Sequence, residues 1–130
     1  MPTPPRAAMS PGEIKQDFES AMTRHFSFKT KLRSFLYGNG YEEGPLRDPD
    51  QCSLGHWIAE RRARAYAHVP EMRDLDAAHR RIHQAANVLM DHRLAGRAEA
   101  AAAGLPAVLA QAEGIVTLLQ TIERKLRTEA

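Results

Sequence analysis

Six histidines and one cysteine are the side chains of this 130-residue sequence best suited to holding a transition metal. His79 and His83 lie four residues apart, so on a helix their rings project from one face and can chelate one ion. Cys52 stands just before a helix start in Cys52-Ser53-Leu54-Gly55-His56-Trp57, where the positive end of a helix favours thiolate. Gly55 would let backbone approach closely at that turn, and Trp57 would cover the site and exclude water. His25 occupies a position where the surrounding pattern calls for an apolar residue. Three imidazoles and one thiolate make a complete tetrahedral zinc set. Four protein ligands leave no place for substrate, which argues against hydrolysis and for a structural or regulatory role. His56, His68 and His92 read as surface histidines.

The elements that must position these residues are helices. Ala, Leu, Arg, Gln and Glu are abundant and β-branched residues few, so helix costs less than strand. Residues 1–10 are Pro-rich and polar and predict a disordered tail; residues 11–130 predict one domain. Ser10-Pro11-Gly12-Glu13 reads as a capping box with proline at the first helical position. Ile14, Phe18, Ala21, Phe28, Leu32 and Phe35 follow at helical spacing, and His25 fills the gap in that seam. Gly38-Asn39-Gly40 should stop this helix, and a polar loop should run to about Gln51. A shorter helix from about Ser53 should turn Leu54, Trp57 and Ile58 inward and end before Pro70. The next, from about Pro70 to Ala95, has the seam Met72, Leu75, His79, Ile82, Ala86 and Leu89. Gly96 marks a turn. The last seam is Val108, Ala112, Ile115, Leu119, Ile122 and Leu126; Pro106 either kinks a helix begun near Arg97 or opens a new one. The expected fold is all-α, an antiparallel up-down four-helix bundle with a short second helix.

Formal net charge is +2, too small to imply nucleic acid. Arg61, Arg62 and Arg64, and likewise Arg80 and Arg81, read as solvated helix faces without interleaved aromatics. The N-terminus lacks the apolar core of a secretory signal, and the uncharged stretch Ala100–Ala112 is too short to span a bilayer. A cytoplasmic protein without membrane insertion is expected, its single cysteine unable to form an internal disulfide. Other readings exist. His25-Phe26-Ser27-Phe28-Lys29 is similar to the histidine of a phosphotransfer protein, but His25 falls on a buried seam. A metal-free scaffold would use the histidines as core hydrogen-bonders. A di-iron bundle needs Glu-x-x-His pairs, and only Asp76-x-x-His79 approaches one; Asp76 is at most an outer partner of a ligand ring.

A seam histidine, then Cys52-Ser53-Leu54-Gly55-His56-Trp57, then His79-Arg80-Arg81-Ile82-His83, resembles the bacterial chemoreceptor zinc-binding domain family over roughly residues 14–126. The resemblance implies a zinc ion held by His25, Cys52, His79 and His83, with Gly55 and Trp57 in the supporting motif. It implies a homodimer that regulates chemoreceptors or enzymes producing cyclic di-GMP, in response to zinc or to oxidants such as hypochlorous acid. Family members are often fused to a receptor or catalytic domain, and this sequence carries neither. It is therefore expected to act in trans on a chemoreceptor or diguanylate cyclase, without catalysis of its own and with Cys52 as the oxidisable ligand.

Overall fold

The computed structural model describes residues 9–38 and 42–130. Among them, α1 (Pro11–Leu36), α2 (Gly44–Arg47), α3 (Ser53–Ala63), α4 (Glu71–Leu94) and α5 (Ala98–Glu129) account for all the regular structure, and there is no strand. The fold is all-α. One difference from the sequence reading is α2, a single helical turn inside what reads as a polar loop. Gly44-Pro45 signals a turn, and a four-residue helix has no apolar period by which to be recognised. Residues 39–41 and 1–8, on which part of the expected helix stop and most of the expected tail fall, lie outside the described residues.

Local chemistry explains where the helices begin and end. At α1 the Glu13 N–H donates to Ser10 Oγ and the Ser10 N–H donates to a Glu13 carboxylate oxygen, closing the capping box. A cap of this kind contributes about 1 kcal/mol. After α4 the chain turns at Gly96, whose φ of +80° is a left-handed conformation that costs glycine nothing. α5 runs uninterrupted through Pro106. Both Pro106 and Ala102, whose carbonyl would have taken the missing N–H, are exposed, so water can satisfy that carbonyl.

Contacts along the helices give their directions. Glu71 at the start of α4 pairs with Lys125 near the end of α5, and Leu89 near the end of α4 lies against Gly104 near the start of α5. The two are therefore antiparallel. His25 reaching Ala112 places α1 on α5. Arg24 bonding to Ser53, and Trp57 and Arg61 bonding to Asp17, run α3 back along α1. The buried seams are those read from the periodicity, extended by Leu36, Met90, Ala101 and Leu105. They meet in one cluster that draws on every helix.

α5 adds a correction. By length and mean hydropathy it could cross a bilayer, which counting its longest uncharged stretch overlooks. Its seam from Ala101 to Leu126 is buried in the common core, but only 28 % of the apolar window is buried, and Ala100, Ala103, Ala107, Ala110 and Gly114 stay exposed.

Candidate metal centre

α4 turns both His79 and His83 into the core, where each is almost wholly buried. Their spacing brings the two Nε2 atoms to 3.1 Å. Cys52, the N-cap residue of α3, is also buried, and its Sγ joins them: the three donor atoms lie within 4.8 Å of one another. Two nitrogens bound to one tetrahedral zinc at about 2.0–2.1 Å stand roughly 3.3 Å apart. The chemistry and spacing of the donors therefore fit that ion.

The hydrogen bonds fix the tautomers. His83 Nδ1 is 2.7 Å from the Leu46 carbonyl, which can only accept, so Nδ1 carries the proton. Burial holds His83 below its ordinary pKa, so the ring is neutral and Nε2 offers a lone pair. His79 Nε2 must then donate to it. Burial, reinforced by repulsion from His83 and then His25 and Arg80, takes the His79 pKa down to about 3. Burial pushes the Cys52 thiol up, against the opposing pull of the Gly55 and Leu54 amides and of Lys31 and Arg24. The helix-start effect expected at Cys52 is therefore present but outweighed. The metal-free thiol stays protonated at neutral pH.

His25 is buried on α1 as expected, but its Nε2 donates to the Ala112 carbonyl of α5 at 2.9 Å. It lies near enough to His79 to lower that residue's pKa, yet it is outside the group of three converging donors. Without metal, His25 and His79 each have a partner, a backbone carbonyl and a second histidine. At 1 % exposure His25 is also inaccessible to a phosphodonor, which removes the physical basis of the phosphotransfer reading.

Gly55 has the role its position suggested. A Cβ there would stand 1.9 Å from the Pro49 carbonyl oxygen and 3.0 Å from the His79 ring. Only glycine lets the 49–55 turn close over that ring. Trp57 works elsewhere. It packs edge-on against Phe18 and beside Tyr66, and its indole N–H donates to Asp17. Apart from His79, the ring beside His83 is Phe28, tilted against it with centroids 4.7 Å apart.

Sequence reasoning missed Asp17. This carboxylate accepts from Trp57, twice from Arg61, and from the Tyr66 hydroxyl. Arg61 is thus anchored in the α1–α3 contact rather than solvated. Asp76 pairs with Arg62 and Arg80 and orients no ligand ring. His56 and His68 are exposed, whereas His92 is half-buried and accepts from Arg97. Also missed were the Leu46 and Ala112 carbonyls, since backbone acceptors leave no signature in a sequence.

The profile of one protein family, described as the chemoreceptor zinc-binding domain, matches residues 25–90, slightly more than half of the chain. The matched segment contains His25, Cys52, His79 and His83. No curated protein and no solved structure matches the chain.

Proposed function

The chain belongs to the chemoreceptor zinc-binding domain family, and we propose that it is a zinc-holding regulatory module without catalysis of its own. The observation that carries this reading is the convergence of Cys52, His79 and His83 donors within 4.8 Å, all buried. His25 is the fourth donor. It lies beside the group but outside it, so taking that place requires its ring to shift. A bound zinc ion would supply a fixed positive charge and a cross-link between α1, α3 and α4.

Regulation works through the stability of that cross-link. Cys52 is the oxidisable donor. Hypochlorous acid converts its thiolate to sulfenic acid, the sulfur losing two electrons while chloride leaves, and the oxidised sulfur is a poorer ligand. A cytoplasmic homodimer is part of this reading, supported by the exposed small apolar face of α5. Its output is directed to a chemoreceptor or a diguanylate cyclase.

A metal-free scaffold is the competing reading, favoured by the fact that His25, His79 and His83 all have hydrogen-bond partners. Zinc titration of the parent and Cys52→Ala, followed by elemental analysis, separates the two. The expected result is one zinc per parent chain and an affinity loss above about 100-fold in the variant, beyond what an outer partner costs. A parent that retains no zinc, or a variant that binds equally well, overturns the proposal.

A further inference from the structure

One bond to the centre depends on a segment far from it in sequence. His83 offers its Nε2 lone pair because Nδ1–H is engaged by the Leu46 carbonyl. Leu46 belongs to α2, which is too short to hold its own position by helical cooperativity. Something else must place that carbonyl.

Asn87 does so from α4, one turn beyond His83. Its Nδ2 donates to the Arg47 carbonyl at 3.0 Å, and its Oδ1 accepts from Arg47 Nη1 at 3.0 Å. The amide therefore grips the residue after Leu46 by both backbone and side chain. Arg47 is tied down further by Glu43, and by Asp91, another turn along α4. His83, Asn87 and Asp91 form one stripe at i, i+4 and i+8, so a single helix face carries both the ligand and the residues holding its partner. We propose that Asn87, acting through Arg47, is a positioning residue for the metal centre: it fixes the Leu46 carbonyl and so selects the His83 tautomer that presents Nε2 to Cys52 and His79.

This rests on the zinc reading for its purpose but not for its geometry, and the test separates the two. Two-bond proton–nitrogen correlation spectra of the full-length, metal-free protein at neutral pH report which His83 nitrogen is protonated. Zinc titration of the same samples reports affinity. The parent should show His83 protonated at Nδ1. Asn87→Ala should populate the Nε2–H form of His83 and weaken zinc binding by about 10- to 100-fold, the range for loss of an outer partner. Asn87→Asp keeps the acceptor for Arg47 and loses the donor to its carbonyl. It should shift the tautomer in the same direction, and it serves if Asn87→Ala does not fold. A purely structural role would lower the melting temperature and leave the tautomer in place. An unchanged His83 tautomer in a folded variant overturns the positioning role, whatever the zinc affinity. A parent that binds no zinc but whose tautomer responds to Asn87 overturns the zinc reading alone.

Discussion

Two polar centres, one buried and one partly buried, lie along α3, and they are built on opposite principles. At its start, Cys52, His79 and His83 turn three electron-pair donors toward one point. Farther along, Asp17 receives protons from Trp57, Arg61 and Tyr66. In the second centre an anion is matched by donors already covalently present. The match lowers the Asp17 pKa even though burial, the largest single influence, pushes it up. In the first centre the donors face one another, relieved by a proton shared between two histidines and by the Gly55 and Leu54 amides at Cys52. A satisfied polar cluster locks helices together. A cluster of convergent lone pairs is suited to receive a cation.

Breaking the saturated centre should have the largest effect. Asp17→Ala removes the acceptor shared by Trp57, Arg61 and Tyr66; Arg61 keeps Glu60 and some access to water, so the cost is about 2–4 kcal/mol. Denaturant melts should show that loss equally with and without zinc; a loss that zinc rescues would mean the two centres are not separable. Gly55→Ala comes next, because the new Cβ meets backbone at Pro49. It should cost about 1–3 kcal/mol in metal-free melts and weaken zinc binding as well. A variant with parental stability would show that the 49–55 turn can move aside.

Acid titration sharpens the contrast. His25, His79 and His83 have folded pKa values below the ordinary 6.5. Below that pH the unfolded chain takes up protons that the folded chain refuses. Metal-free stability should therefore fall as pH drops from about 6.5 toward 5, by up to about 1.4 kcal/mol per pH unit for each histidine. Asp17 contributes in a different window. Its folded pKa is below 3.8, so its stabilisation holds until the pH falls through that range. Flat stability between pH 7 and 5 would contradict the burial of neutral histidines. The smallest signal is a proton count. Metal binding needs the Cys52 thiolate, while His79 can pass its proton from Nε2 to Nδ1. Calorimetry in buffers of different ionisation enthalpy at pH 7 should find about one proton released per zinc; zero would mean the thiol is not a ligand.

The seams of α1, α4 and α5 were legible because an apolar residue recurs every three or four positions, and a histidine interrupting that pattern is conspicuous. His79 and His83 could be paired by spacing, and Cys52 and His25 joined to them by ligand type and the family resemblance; of the four, the structure brings Cys52, His79 and His83 together. The Ala112 carbonyl that holds His25 could not, being a backbone group 87 residues away in sequence. Asp17 was invisible for a related reason. It flanks the seam at Phe18, where carboxylates are ordinarily solvated, and only the packing of α3 reveals its partners. Asn87 has a faint signal, one turn beyond His83 on the same face, but its role depends on where α2 sits.

The donors also differ in how readily each can leave. His79 and His83 lie in the middle of α4, so freeing either ring means unwinding hydrogen-bonded turns on both sides. Cys52 sits at the junction between a turn and α3, and opening the short stretch from α2 to Ser53 suffices to withdraw its sulfur. In kinetic terms the exchange of a bound ion would be gated by that stretch, with the two histidines as the last donors to let go.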